Sequence, residues 1–212
     1  TLALVVLLGT LGVAAVVVAR ARAQVRRLRR RLDAASGELE HLQTSFERFA
    51  PRVVVERIVA GGVATGAERK EGTILFADLV GFTALAERLP PEVLVRVLND
   101  YFGRMSRVVS ERRGHVAKFI GDGLMATFGA LEPNPWQTND AVHAALGIAA
   151  ALATHNAGLR ARGLPEIRVG IGIHRGPVVA GVMGNAALVE YGVIGRTVNV
   201  AARVERLTRV HG

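Results

Sequence analysis

The stretch Thr73-Ile-Leu-Phe-Ala-Asp-Leu-Val-Gly-Phe-Thr83 is an apolar run that breaks at an aspartate and a glycine. A short apolar run bounded by turn residues is typical of a buried β-strand. A second stretch, Lys118-Phe-Ile-Gly-Asp-Gly-Leu-Met-Ala-Thr-Phe128, places Gly-Asp-Gly between two apolar runs and therefore predicts a β-hairpin. Each break carries one aspartate, Asp78 or Asp122, and the fold decides whether the two carboxylates meet.

Around these two stretches, strand and helix patterns alternate from Gly72 to the end of the chain. The β-α-β-β-α-β order, with additions, predicts an α+β fold of the ferredoxin-like type, with helices on one face of an antiparallel sheet. The predicted strands are 73–77, 115–120, 124–128, 167–173, 178–183 and 189–194, and the predicted helices are 83–88, 90–113, 141–162 and 197–207.

In that layout the first strand runs antiparallel to the second strand of the hairpin, so its carboxyl end lies beside the hairpin tip. Asp78 and Asp122 should then meet at one edge of the sheet. Two carboxylates brought together at neutral pH call for cations between them, and oxygen ligands suit Mg²⁺ or Mn²⁺. The alternatives are a helix N-cap for Asp78 and an ordinary turn residue for Asp122.

The chain starts with an almost uninterrupted apolar segment followed by arginines. At about 1.5 Å per residue this segment spans roughly 27 Å, enough for a bilayer core. Arginines beside a span mark its cytoplasmic side. We therefore expect a transmembrane helix at 1–19, an inner or plasma membrane location and a cytoplasmic domain after it. Nucleic-acid binding by the arginines and a signal peptide are the less favoured interpretations, because in a signal peptide the charge precedes the apolar region.

Residues 20–50 carry apolar residues spaced alternately three and four apart, which predicts a coiled-coil helix that pairs two copies of the chain. The alternative is one amphipathic helix packed on its own domain. The seam consists of Val25, Leu28, Leu32, Ala35, Leu39, Leu42, Phe46 and Phe49. Pro51 ends this helix, and the glycines that follow make 51–71 a short helix and linker.

Net charge and cysteine content narrow the function classes. The 212 residues carry a formal charge of +9 and no cysteine. Disulfide scaffolds, thiol catalysis and cysteine-type zinc sites are therefore excluded for this sequence.

Four motifs follow one another along the chain. They are Phe76-Ala-Asp78-Leu-Val-Gly81-Phe-Thr83, Lys118-Phe-Ile-Gly121-Asp122-Gly, Val169-Gly-Ile-Gly-Ile-His174-Arg-Gly176 and Val193-Ile-Gly195-Arg-Thr-Val-Asn199-Val-Ala-Ala-Arg203. In order and in register, these motifs resemble the class III nucleotidyl cyclases, the adenylate/guanylate cyclase family. The resemblance covers 72–212 as the catalytic domain.

The resemblance implies that Asp78, Asp122 and the Leu79 carbonyl bind two Mg²⁺ or Mn²⁺ ions. Such a pair can acidify the ribose 3′-hydroxyl and neutralise the triphosphate. The backbone N–H groups around Gly81, Phe82 and Thr83 open a short helix and would hold phosphate oxygens.

The resemblance also assigns nucleotide contacts. It implies that Asn199 orients the ribose and that Arg203 stabilises charge on the α-phosphate. Lys118 stands where the family reads the purine, and a donor-only lysine pairs with the adenine N1 acceptor, which favours ATP. Gly192 occupies the second base-reading position, where relatives carry Asp, Thr or Cys. The chain also ends before the last strands and a phosphate-binding lysine of the family, so we expect a C-terminally truncated domain.

These expectations describe a membrane-anchored adenylate cyclase that converts ATP to cyclic AMP and pyrophosphate. The family places its sites at a homodimer interface, with Asp78 and Asp122 from one subunit and Lys118, Asn199 and Arg203 from the other. One alternative is a guanylate cyclase, which Gly192 leaves open. Another is a catalytically silent cyclase-like domain that senses nucleotide or pairs with a partner, supported by departures from the family pattern at Leu188, Gly192 and Arg196.

Overall fold

The computed structural model describes residues 66–184 and 189–211, together with ten N-terminal positions, namely 24, 27, 29, 30, 32–34 and 36–38. The predicted transmembrane helix at 1–19 and most of the linker at 51–71 lie outside the described residues. Within the predicted coiled coil at 20–50, the described positions are helical and exposed, and pairing of two such helices stays a prediction. In the part of the chain that is described, no helix is both long and apolar enough to cross a bilayer.

The catalytic-domain region forms one five-stranded sheet in which every neighbouring pair is antiparallel. Along the sheet the order is β2-β3-β1-β4-β5. The strands are β1 Gly66–Val80, β2 His115–Ile120, β3 Gly123–Phe128, β4 Arg168–Gly184 and β5 Val189–Ile194. The helices are α1 Phe82–Arg88, α2 Pro91–Glu111, α3 Gln137–Ala161 and α4 Arg196–His211. The expected α+β class and antiparallel sheet are confirmed.

Two strands are longer than predicted. β1 begins at Gly66, so the last six residues of the predicted linker belong to it and pair with β4. The two strands predicted at 167–173 and 178–183 form one continuous strand, β4. Pro177, which lies between the two predicted strands, is part of β4, and β5 pairs with β4 only from Val179 onward. One side of the strand is therefore unpaired at Pro177, and a proline without an N–H is tolerated there.

The sheet separates two apolar cores, because alternate residues of β1 point to opposite faces. Leu75, Ala77 and Leu79 join the larger core, which contains the inner faces of α2 and α3. Ile74 joins the smaller core together with Ala201 of α4. The prediction of helices on one face is therefore correct for α2 and α3 and wrong for α4, which covers the opposite face.

α4 packs directly on the backbone of β4. A Cβ atom at Gly172 would lie 2.2 Å from the backbone nitrogen of Glu205 and 2.4 Å from the carbonyl oxygen of Ala201. A side chain at position 172 would therefore push the helix away from the sheet. The missing side chain sets the position of α4 and of every residue on it.

α2 and α3 are joined by a polar contact inside the larger core. The His155 imidazole is buried, and its Nδ1 lies 3.1 Å from Oδ2 of Asp100. Burial lowers the pKa of His155, and the Asp100 carboxylate opposes this by raising it. Arg104 in turn donates to Asp100 at 3.2 Å. The buried His155 therefore contributes to the pH dependence of folding stability.

Candidate active site

Strand pairing brings Asp78 and Asp122 to the same end of the sheet. β1 and β3 run antiparallel with Ala77 opposite Leu124, so the next residue of β1, Asp78, lies against Gly123. A Cβ atom at Gly123 would lie 2.6 Å from Oδ1 of Asp78. Asp122 directly precedes Gly123 in the hairpin turn. Asp78 and Asp122 therefore lie at the same end of the sheet, and the absence of a side chain at Gly123 leaves room for the Asp78 carboxylate.

The buried hydroxyl of Tyr101 is subject to the negative charge of both aspartates. The pKa of Tyr101 is raised, first by burial and then by the negative charges of Asp78 and Asp122. Tyr101 lies on α2, below the sheet, and its side chain is fully buried. Both carboxylates therefore act on the same point of the core.

The donor set at this edge fits a hard divalent cation. Among the described residues, no group of three or more His, Cys, Asp or Glu side chains is arranged to hold a metal ion. Two carboxylates and a nearby backbone carbonyl such as that of Leu79 leave several coordination positions to water or phosphate oxygens. Mg²⁺ is commonly bound in this way at nucleotide sites. Leu79 N–H donates to Oδ1 of Asp78 at 3.2 Å, which orients that carboxylate.

The turn after β1 opens α1 beside the aspartates. Gly81 precedes the helix with φ 75°, and no side chain caps the helix start. The first N–H groups of a helix have no intrahelical partner. Phe82 packs on the larger core, whereas Gly81 and Thr83 are exposed. The predicted phosphate-binding residues Gly81, Phe82 and Thr83 thus lie in the turn and first helical residues directly after the end of β1, which carries Asp78 and Leu79.

A β-bulge determines which face of the sheet Lys118 occupies. Val116 pairs with Ala126, but the register then shifts and Lys118 pairs with Met125. Without the extra residue Lys118 would share the face of Val116, towards α2 and α3. With it, Lys118 shares the face of Met125, towards α4. Bulges commonly re-aim a side chain next to a functional site.

Lys118 contacts a residue that the sequence analysis missed. Its Nζ lies 3.1 Å from Oε1 of Glu190 on β5. Glu190 stands two positions before Gly192, so the two share one face of the strand. Alternation along β5 was therefore an available signal. However, β2 and β5 are the outermost strands, and only the curl of the sheet brings their side chains together.

Asn199 and Arg203 lie on the outer surface of α4. Thr197, Ala201 and Glu205 are buried residues of this helix, and the Ala201 carbonyl oxygen lies against Gly172 of β4. At 100° per residue, positions two before and two after Ala201 lie about 160° around the axis from it. Asn199 and Arg203 are both exposed. Within one chain they therefore point away from the sheet that carries Asp78 and Asp122.

The catalytic-domain region matches a protein-family model described as adenylate and guanylate cyclase catalytic domain, over residues 66–210. An adenylate cyclase from Anabaena cylindrica is 38% identical over 189 residues, covering 85% of this chain and 37% of that protein. Adenylate cyclase 1 from Rhizobium meliloti is 34% identical over 170 residues, covering 79% of this chain and 26% of that protein. The chain thus spans well under half the length of these curated relatives.

Solved structures show the same fold. The guanylyl cyclase Cya2 is 39% identical with a TM-score of 0.65, covering 67% of this chain and 72% of that one. The adenylyl cyclase CyaB from P. aeruginosa is 31% identical with a TM-score of 0.65, covering 67% of this chain and 74% of that one.

Proposed function

The chain belongs to the adenylate and guanylate cyclase catalytic domain family, and we propose that the protein is an adenylate cyclase that converts ATP to 3′,5′-cyclic AMP and pyrophosphate. The observation that carries the proposal is the placement of both aspartates at one end of the sheet. Asp78 lies against Gly123 across the paired strands, and Asp122 is the residue before Gly123 in the turn. The two relatives named adenylate cyclase support this substrate. So does Lys118, because an ammonium group donates to the adenine N1 acceptor.

Each residue has a distinct task in this reaction. Asp78, Asp122 and the Leu79 carbonyl would hold two divalent ions, which when bound acidify the ribose 3′-hydroxyl and neutralise the triphosphate. The N–H groups of Gly81, Phe82 and Thr83 bind phosphate oxygens. The 3′ oxygen bonds to the α-phosphorus, the bond from that phosphorus to the pyrophosphate oxygen breaks, and the hydroxyl proton passes to solvent.

The remaining contacts come from the second subunit in our proposal. Asn199 and Arg203 face away from their own sheet, so they are available to the site of a partner chain. There the Arg203 guanidinium stabilises charge on the α-phosphate, and Asn199 orients the ribose.

An exposed apolar patch beside Asp122 supports a dimer of this kind. Phe119 and Ile120, next to the hairpin tip, are 51% and 50% exposed. Contiguous exposed apolar surface commonly marks an interface. Pairing through the coiled coil at 20–50, anchoring through the transmembrane helix at 1–19 and a cytoplasmic catalytic domain at the plasma membrane complete the proposal.

A guanylate cyclase is the second candidate. Gly192 supplies no side chain for base selection, and Cya2, at 39% identity, is a guanylyl cyclase. Lys118 by itself favours adenine, because guanine N1 carries a hydrogen and needs an acceptor. Glu190, 3.1 Å from Lys118, is such an acceptor and keeps this candidate open.

The test uses the intact protein with Mn²⁺ and either ATP or GTP, and measures the cyclic nucleotide formed. Cyclic AMP as the main product supports the proposal, cyclic GMP supports the second candidate, and no product indicates a catalytically silent domain. Mixing Asp78→Ala with Arg203→Ala protein tests the shared sites. Each variant alone should be inactive, and the mixture should regain part of the activity. No recovery from confirmed mixed dimers would show that the residues act within one subunit.

A further inference from the structure

Lys118 and Glu190 form a donor–acceptor pair that opens onto solvent. The side chains are 38% and 68% exposed, and their charged atoms lie 3.1 Å apart. An exposed ion pair of this kind contributes little to folding stability. A bound molecule can therefore replace or share this contact at small cost to the fold.

Gly192, at the second base-recognising position, has no side chain that could act beside Lys118. Gly192 lies on the same face of β5 as Glu190, two residues along. A Cβ atom at Gly192 would lie 3.3 Å from both Sδ and Cε of Met183, so the thioether already fills much of the space. The acceptor that reaches Lys118 comes from Glu190 instead.

We propose that Glu190 recognises the purine base together with Lys118. It acts as the second base-recognising side chain, which Gly192 cannot supply. This inference rests on the proposed cyclase function. An ammonium group only donates hydrogen bonds, and a carboxylate only accepts them. The edge of adenine places the N6 amino donor next to the N1 acceptor. Lys118 donates to N1 while Glu190 accepts from the N6 amino group, so both charged groups keep a partner when the nucleotide is bound.

This contact predicts selection against a base that lacks the amino group. Purine riboside 5′-triphosphate is ATP without the N6 amino group, and it would leave the Glu190 carboxylate without its donor. Leaving one partner of a charged hydrogen bond unmade costs enough to lower kcat/KM about tenfold. We expect the wild-type protein to prefer ATP over this analogue by about that factor.

The experiment measures kcat and KM of the intact protein for both nucleotides. In Glu190→Ala the preference should fall to about one, through a higher KM for ATP. Glu190→Gln retains an acceptor oxygen and should keep part of the preference. Glu71→Ala is the matched control, because Glu71 is 57% exposed and has an ion-pair partner, Arg175, at 3.8 Å. It should keep the wild-type preference.

The outcomes separate this inference from the function on which it rests. If wild-type protein forms cyclic AMP and Glu190→Ala keeps the tenfold preference, Glu190 does not read the base and the cyclase proposal stands. If the preference disappears equally in Glu71→Ala, the effect is general and the inference is also wrong. If wild-type protein forms no cyclic AMP, the proposed function fails first.

Discussion

The edge of the sheet at Asp78 and Asp122 and the outer face of α4 with Asn199 and Arg203 are built in opposite ways. The first is assembled inside one chain by strand pairing, is partly buried and leaves no room for a side chain at Gly123. The second is exposed and faces away from its own sheet. This difference fits our proposal that the sheet edge supplies one half of a nucleotide site and that α4 supplies the other half to the site of a second chain.

The largest expected effect comes from changing the charge at the sheet edge. Asp122→Asn keeps the size of the side chain but removes one of two anionic oxygen ligands. We expect cyclase activity to fall about a thousandfold. The urea midpoint of unfolding should stay unchanged, because the residue lies in a turn. A loss of activity that merely follows a loss of folded protein would contradict the role of Asp122 as a ligand.

The geometry of the same edge is tested by adding one methyl group. Gly123→Ala would place a Cβ atom 2.6 Å from Oδ1 of Asp78. Because the carboxylate must move by about an ångström, we expect activity to fall about a hundredfold. Gly103→Ala is the control, since nothing lies within 4 Å of a Cβ at that exposed position of α2. It should keep full activity and gain about 0.5–1 kcal/mol of stability. Equal activity in both variants would show that Gly123 does not position Asp78.

The position of α4 is tested at Gly172, where a Cβ would meet the backbone of the helix at 2.2 Å. Gly172→Ala should lower the free energy of unfolding by about 1–3 kcal/mol, because helix and sheet must separate. Gly158→Ala, in α3, meets nothing within 4 Å and serves as control. In mixtures with Asp78→Ala protein, whose α4 is intact, Gly172→Ala protein should still supply a working sheet edge. Failure to complement would mean that the two regions are coupled within one chain.

The smallest expected effect is on the pH dependence of folding stability, to which His155 in the core between α2 and α3 contributes. The pKa of His155 is lowered in the folded protein, chiefly by burial. The unfolded chain therefore binds the proton more readily, so the contribution of neutral His155 is complete above about pH 6.5 and declines as the pH falls towards the folded pKa. The charged groups acting on it are Asp100, Arg104 and Arg162.

Urea unfolding at pH 7.5 and at pH 5.5 checks this expectation. Wild-type protein should be less stable at the lower pH, and His155→Leu should lose part of that difference. His143→Gln, which changes an exposed histidine of the same helix, should keep it. An unchanged difference in His155→Leu would assign the pH dependence to other groups.

Much of the candidate site could be predicted before any coordinates. The pairing of β1 with β3 follows from the order of the elements, and it places Asp78 beside the hairpin tip. Asn199 and Arg203 share a helix face because they are four residues apart. These relationships depend on short-range periodicity and on a small number of allowed topologies.

Other features could not be predicted, because they depend on residues distant in sequence. Residues 66–71 have the composition of a linker, and only their pairing with β4 makes them part of β1. The bulge between Val116 and Lys118 is a shift in the pairing register with β3. The sequence of β2 alone does not predict it.

The sequence by itself determined which residues are candidates for the chemistry and which elements hold them, since apolar periodicity and turn residues act over a few positions. Only the tertiary structure decided that Lys118 faces α4, that Glu190 reaches it and that α4 turns Asn199 and Arg203 outward. The physical reason is that strand pairing and packing between distant segments set three features. They are the face of the sheet on which a side chain lies, the curvature of the sheet and the distance between a helix and the sheet. A local pattern specifies a strand or a helix, but its neighbours determine where each side chain points.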